Sequence, residues 1–278
     1  MKKELKKKIE SAVKLIQSAG KDGQMVEIAY SGGKDSDVIL ELTRMAGIRY
    51  RAIYKNTTID PPGTIAHVKS KGVEVMQAKK TFFQLVAKKG YPSRFVRFCC
   101  SELKEYKILD RCIMGVRKLE SVSRNKRYQE PTKCIFYGSK KEHVEAFYPI
   151  LDWSNQDVAD FISEKNLQCH PLYYDEKGQF HVERRLGCMC CPLQSKRKRI
   201  EEFISYPNMV KAYIRAGQRF RETHPDAAFT RRYDDIYDAF VRFLFFERDY
   251  DFQQQKVGLF GSNDNKQFLI DYFNVNLL

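Results

Sequence analysis

Residues 26–37 read Val26-Glu27-Ile28-Ala29-Tyr30-Ser31-Gly32-Gly33-Lys34-Asp35-Ser36-Asp37. Val26, Ile28 and Tyr30 alternate as a short strand requires, and Val38, Ile39, Leu42, Met45 and Ala46 recur at helical spacing after Asp37. The chain therefore passes from strand to helix through Ser31-Gly32-Gly33-Lys34-Asp35-Ser36. Two adjacent glycines permit positive φ and leave no Cβ between the backbone and a bound group. The first amides of the helix then point outward together, with the positive end of its dipole behind them. Ser31 and Ser36 add hydroxyls and Lys34 a mobile positive charge, so the stretch is suited to holding phosphate.

On the C-terminal side, residues 49–54 alternate as a second strand, followed by Lys55-Asn56-Thr57-Thr58-Ile59-Asp60-Pro61-Pro62. The Pro-Pro fixes a loop leaving a strand end, and in an open α/β sheet such loops face the ligand crevice. Thr57, Thr58 and Asp60 suit contact with a nucleotide's sugar or base, or capping of the next helix. Further on, the pattern predicts helix over 64–71, strand over 73–76, helix over 81–88 capped by Thr81, helix over 101–109, and strands over 112–116 and 134–137. Ser154 is placed to cap a helix over 156–164. Upstream, Leu5, Ile9, Ala12, Val13 and Ile16 predict an amphipathic helix over 4–19. Repeated β–α alternation of this kind implies an α/β fold, a Rossmann-like, mostly parallel sheet covered by helices. From about Pro171 the strand pattern is lost and aromatic residues accumulate, which predicts a helical C-terminal region with the Phe stripe at 236–246 in its core. The expected organisation is an N-terminal helix (1–24), a nucleotide-binding domain carrying the clustered cysteines (25–195) and a helical, aromatic-rich region (196–278).

The chain has 278 residues, 43% of them hydrophobic, and a formal net charge of +14. No apolar run is long enough to span a membrane, and Met1-Lys2-Lys3-Glu4-Leu5 has no apolar signal core, so a soluble, cytoplasmic protein is expected. The charge implies an acidic partner, whether nucleotide, nucleic acid or anionic protein surface, beyond solubility alone. Basic residues gather at the N-terminus, at 117–133, at 196–199 and at 215–232, which leans toward nucleic acid.

Without an export signal, the eight cysteines suit metal ligation, catalysis or burial better than disulfides. Cys99 and Cys100 are adjacent, and Cys188 and Cys191 form a Cys-x-x-Cys pair with Cys190 between them. Four thiolates without a suitably spaced histidine point to a zinc site or an iron–sulfur cluster. Adjacent cysteines are awkward ligands for one tetrahedral ion, but spacing alone does not choose. Cys112, Cys134 and Cys169 stand singly and read as buried structural residues.

Ser-Gly-Gly-x-Asp-Ser after a strand is not the Walker pattern Gly-x-x-x-x-Gly-Lys-Ser/Thr. It resembles the PP-loop of the adenine nucleotide α-hydrolase-like superfamily, whose members bind ATP or a sulfonucleotide and usually act between the α and β positions. Cys-Cys followed by Cys-x-x-Cys behind such a loop resembles the cluster-binding branch of the phosphoadenosine phosphosulfate (PAPS) reductase family. That resemblance implies a [4Fe–4S] cluster on Cys99, Cys100, Cys188 and Cys191, with Cys190 a replacement ligand, a neighbouring thiol or neither. Gly115-Val116-Arg117-Lys118-Leu119-Glu120-Ser121 with Arg124 resembles the family's Gly-x-Arg…Ser…Arg segment, and a guanidinium fork suits phosphate or sulfate. Pro149-Ile150-x-Asp152-Trp153 also matches. The implied nucleotide site is Ser31, Gly32, Gly33, Lys34, Asp35, Ser36, Thr57, Asp60, Arg117 and Arg124. The resemblance runs over roughly residues 25–195, and the last eighty or so residues match nothing.

Two chemistries compete. In sulfonucleotide reduction a cysteine on a C-terminal tail attacks sulfur and sulfite is released; here no cysteine follows Cys191. In ATP-dependent activation, as in the sulfurtransferases of DNA phosphorothioation and the PP-loop tRNA thiolases, a target oxygen is adenylated and sulfur displaces AMP. Lys34, Asp35 and Arg117 would then be catalytic, with Mg²⁺ held by Asp35, DNA or tRNA as acceptor, and a cysteine desulfurase or thiol reductant as donor. This second chemistry is favoured. A third reading is a non-catalytic nucleotide- and redox-sensing subunit.

Overall fold

The computed structural model describes residues 3–137, 142–246 and 264–277. Six strands form one sheet: β1 (Val26–Tyr30), β2 (Tyr50–Asn56), β3 (Glu74–Gln77), β4 (Arg111–Ile113), β5 (Thr132–Tyr137) and β6 (Glu142–Phe147). Their spatial order is β3-β2-β1-β4-β6-β5. All neighbours run parallel except β5 and β6, whose antiparallel pairing sets Thr132 opposite Phe147 and Tyr137 opposite Glu142. Because β1 lies between β2 and β4, the strand order reverses at β1. In open α/β sheets ligands bind outside the carboxyl ends of the strands at such a reversal. The expected Rossmann-like architecture is the observed one.

The sheet belongs to a unit made of Met1–Ala78 and Ser101–Gly187. Val26 and Ile28 are fully buried, as a strand covered on both faces demands. Glu27 is buried among them, with Lys55 Nζ 3.3 Å from its carboxylate. Helices α1 (Lys3–Ala19) and α2 (Lys34–Ala46) pack on each other, burying Leu5, Ile9, Ala12 and Ile16 from one and Val38, Ile39 and Leu42 from the other. α3 (Thr64–Ser70), α6 (Val122–Arg127) and α7 (Asn155–Glu164) complete this unit. Ser154 caps α7 in a capping box with Asp157, as its position predicts.

The second unit comprises Lys79–Cys100 and Cys188–Leu278, divisions unlike the sequence segments 1–24, 25–195 and 196–278. Here α4 (Phe82–Lys89), capped by Thr81, packs on α9 (Pro207–Thr223). With them stand α8 (Lys196–Ser205), α10 (Ala228–Arg232), α11 (Ile236–Phe245) and α12 (Asn265–Phe273). Tyr213 is the hub of its core, in ring contact with Phe82, Phe203, Phe240 and Phe243. The stripe on α11 divides: Phe240 and Phe243 are core, whereas Phe245 and Phe246 are only half-buried.

Three expectations need correction. Helix α5 covers Phe98–Leu103 and not 101–109, because the Tyr106 carbonyl accepts from Lys55 Nζ at 2.6 Å and the Leu109 amide donates to Glu27, so neither serves a helix. β4 ends at Ile113. Cys134 is exposed, not buried, since β5 is the outer strand of the sheet; Cys112 and Cys169 are buried as expected.

Candidate functional site

The β1-to-α2 turn stands at the strand-order reversal. Gly32 has φ +77°, and a Cβ there would lie 3.2 Å from Thr64 and 3.3 Å from Leu186, so both its conformation and its surroundings exclude a side chain. Gly33 begins the helix and its carbonyl accepts from the Ser36 amide at 2.9 Å and the Ser36 hydroxyl at 2.7 Å. Ser31 Oγ is 3.3 Å from Ser36 Oγ and 3.4 Å from the Gly33 amide. The loop is thus braced from within by its two serines.

Lys34, at the head of α2, is only 2% exposed. Its ammonium lies 3.3 Å from Asp35 Oδ2, 3.3 Å from the Arg184 carbonyl and 5.2 Å from the Tyr173 ring centre. Burial pulls its pKa below the ordinary lysine value, opposed by Asp35 and reinforced by Arg117. Tyr173 receives the Leu186 amide on its hydroxyl at 3.2 Å, and burial pushes its pKa up to about 12. Tyr173, Arg184 and Leu186 were not expected from the sequence.

Arg117 reaches the loop from the segment that follows β4. It is 2% exposed; Nε donates to Asp35 Oδ1 at 2.7 Å, and Nη1 to Asn155 Oδ1 at 3.0 Å. Those bonds commit most of its fork to protein groups and make it a strut for Asp35. The approach requires Gly115, where a Cβ would fall 2.9 Å from the Asp35 carbonyl oxygen. Arg124 pairs with Glu120, which Arg185 also approaches at 3.2 Å. Burial first, then Arg185, holds the Arg124 guanidinium below its usual range. Two arginines sharing one carboxylate leave positive charge that an arriving anion can neutralise.

Thr57 and Asp60 are brought together, but with each other. Asp60 Oδ2 accepts from the Thr57 hydroxyl at 2.6 Å and its amide at 3.2 Å, and from the Tyr54 hydroxyl. They do not cap α3, whose N-cap is Gly63 without a side-chain bond.

The clustered cysteines all lie in the second unit. The Cys99 thiol is pushed well above its ordinary range, first by its hydrogen bond with Cys100, then by burial and by the thiols of Cys100, Cys191 and Cys188. Tyr213, buried beneath them, feels Cys190, Cys191, Cys99 and Cys188. A thiol whose ionisation three neighbouring thiols oppose would be relieved by a cationic iron–sulfur core, so the chemistry of these residues fits such a group. Among the described residues no three His, Cys, Asp or Glu close around a single metal ion. Cys190 differs from its neighbours: it is fully buried at φ +54°, its amide donates to Glu202 Oε2 at 2.5 Å, and its carbonyl accepts from the Tyr213 hydroxyl at 3.4 Å. Gln194 Nε2 ties the Cys188 carbonyl (3.3 Å) to Glu202 (3.0 Å).

A mostly parallel sheet with a serine- and glycine-built strand-to-helix turn at its reversal point defines an α/β protein with a fold of the PP-loop kind. The chain belongs to the phosphoadenosine phosphosulfate reductase domain family, whose model matches residues 25–194. An uncharacterised protein of Methanocaldococcus jannaschii is 26% identical over 231 residues, 77% of this chain and 53% of its own. A second from that organism is 27% identical over 72% of this chain and 42% of its own. The chain thus spans about half the length of these curated relatives. A phosphoadenosine 5'-phosphosulfate reductase of Buchnera aphidicola is 35% identical over 74 residues, 26% of this chain and 27% of its own. Among solved structures, the PAPS reductase of Candida auris superposes with a TM-score of 0.45 at 13% identity, covering 68% of this chain and 95% of that one. Among the described residues no helix is long and apolar enough to cross a membrane.

Proposed function

We propose that this protein cleaves ATP between the α and β phosphates to adenylate an oxygen of a nucleic acid, DNA or tRNA, which then accepts sulfur. The observation that carries the reading is Lys34, enclosed at the head of α2 within the Ser31–Ser36 turn. A buried ammonium with the helix dipole behind it favours charge developing on departing pyrophosphate. Asp35, held by Arg117, is the carboxylate best placed to take Mg²⁺. Arg124 and Arg185 can exchange Glu120 for phosphate oxygens. Persulfide sulfur from a cysteine desulfurase would attack the atom that bears the adenylated oxygen, forming a bond to sulfur as that oxygen departs within AMP, and a thiol reductant would cleave the resulting disulfide to release the thiolated product. Cys99, Cys100, Cys188 and Cys191 would hold a [4Fe–4S] cluster, which when bound supplies a site for carrying sulfur. The net charge of +14 suits a polyanionic acceptor.

The second reading is sulfonucleotide reduction, favoured by the family and by the Buchnera relative. It needs a reachable thiolate. Of the thiols outside the proposed ligand set, Cys112, Cys169 and Cys190 are buried, and the exposed Cys134 stands on β5, the sheet edge three strands from β1; this weighs against it.

Product analysis decides between them. Anaerobically purified protein is given ATP or PAPS, with nucleic acid, a persulfide donor and a thiol reductant. AMP and pyrophosphate from ATP support activation; sulfite and adenosine bisphosphate from PAPS overturn it in favour of reduction. Binding without turnover of either would indicate a sensing subunit.

A further inference from the structure

The second unit contains a cavity of about 380 Å³ that no role above has absorbed. Four cations line it: Arg94, Lys196, Arg199 and Arg242, and among the described residues no carboxylate does. Arg199 is the most constrained. One arm donates to the Leu244 carbonyl at 2.9 Å and its guanidinium lies 5.1 Å from the Phe243 ring centre. Its Nε is buried and meets no acceptor among the described residues. A desolvated, under-bonded guanidinium beside other cations is costly unless an anion arrives to answer it. Burial, together with the charge of Arg94, accordingly holds Arg199 below its ordinary range, Tyr213 opposing.

The same walls carry aromatic faces. Phe243 and Phe245 line the cavity, and Lys196 Nζ sits 5.8 Å from the Phe245 ring centre. Phe95, at the rim, is 94% exposed. The loop bearing it is not loose at its root: Ser93 Oγ accepts the amides of Phe95 (3.2 Å) and Val96 (3.0 Å), and Arg94 donates to the Gln194 carbonyl at 3.4 Å. A large apolar ring held out in water beside a row of cations has the composition of a stacking platform next to a phosphate track. Pro192 and Gln194 place the cavity immediately after the Cys188–Cys191 turn in sequence and in its lining.

We infer that this cavity binds one nucleotide unit of a single-stranded nucleic acid, its base stacked on Phe95 and its phosphate answered by Arg94, Arg199 and Lys196. The inference rests on the nucleic acid acceptor proposed above and gives it a location on the chain. A free nucleoside phosphate offers the same chemistry, so the test includes both sources.

The experiment is fluorescence anisotropy of a labelled 15-nucleotide single strand, as DNA and as RNA, with the full anaerobically purified chain at low salt. Unlabelled AMP and CMP serve as competitors. Phe95→Ala is expected to weaken strand binding about tenfold, the range of one base–aromatic stack. Phe95→Trp should retain binding, and Arg94→Gln should weaken it and flatten its salt dependence. Phe95 and Arg94 are exposed, so these variants test the cavity without threatening the fold. Strand binding unchanged in both variants overturns the inference and leaves the nucleic acid reading standing. Mononucleotide binding that the variants abolish, without strand binding, supports the cavity's chemistry and removes the nucleic acid acceptor. Binding of neither probe overturns both.

Discussion

The Arg117 guanidinium donates through Nε to Asp35 Oδ1 at 2.7 Å, joining the loop after β4 to the first turn of α2. Asp35 lies between two cations, since Lys34 Nζ stands 3.3 Å from its other oxygen. The carboxylate that the phosphate loop presents is therefore oriented from behind by a residue that is itself buried.

Removing one member of a buried pair strands the other. Arg117→Ala is expected to cost about 3 kcal/mol in urea unfolding, moderated by the contact of Asp35 with Lys34. Because both residues act as one unit, the double variant Arg117→Ala/Asp35→Ala should lose clearly less than the two single losses summed. Strict additivity would show that the pair is not a strut.

Lys34 gives a pH signature. Its folded pKa is depressed by burial, so on raising the pH it loses its proton earlier than an ordinary lysine. Nucleotide affinity that depends on the ammonium should therefore be complete near neutrality and fall at alkaline pH below the usual lysine range. Lys34→Ala should lower turnover by roughly 10²–10³, the cost of one preorganised donor to a developing anion, and should flatten the alkaline limb of the affinity profile. Isothermal titration of nucleotide across the alkaline range checks this. A limb that persists in Lys34→Ala assigns it to another group.

The β1–turn–α2 unit was legible because strand, paired glycines and the start of the helix follow one another within a dozen residues. What the sequence hid was contact at long range. The helix expected over 101–109 is cut short by Lys55 and Glu27, which take up the Tyr106 carbonyl and the Leu109 amide from another part of the chain. Strand β6 carries a weak signal: Val144 and Ala146 are buried at period two, but Glu142 and Glu145 dilute the apolar pattern. Tyr173 and Arg184 enclose Lys34 from almost 140 residues or more away, too far along the chain for any local pattern to join them to it. Cys188 and Cys191 are near enough to Cys99 to raise its pKa across nearly ninety residues of sequence, and the burial of Cys190 left no signal in the sequence.

Gly115 is a steric test of the site. A Cβ there would sit 2.9 Å from the Asp35 carbonyl oxygen and 3.0 Å from its carbon, both backbone atoms that cannot swing aside. Gly115→Ala should push the head of α2 away from β4 at a cost of about 1–3 kcal/mol. Nucleotide affinity should fall with it while far-UV circular dichroism is unchanged. Affinity equal to that of the parent would mean that the loop tolerates displacement and is not the nucleotide site.

The cysteine turn separates the proposed ligands from their framework. Cys190 is fully buried in a left-handed backbone conformation, and Glu202 holds its amide at 2.5 Å while Gln194 links Glu202 to the Cys188 carbonyl. The Cys190 side chain thus faces the core while its backbone shapes the turn that presents Cys188 and Cys191. Replacing Cys99, Cys100, Cys188 or Cys191 with Ser should abolish or sharply lower iron and acid-labile sulfide in anaerobically purified protein. Cys190→Ala should leave both near parental levels. Glu202→Ala, which frees the turn without removing a thiol, should give intermediate iron content that is lost faster on exposure to a chelator. Iron lost equally from Cys190→Ala would make that thiol a ligand, and colourless parental protein carrying zinc would remove the cluster assignment altogether.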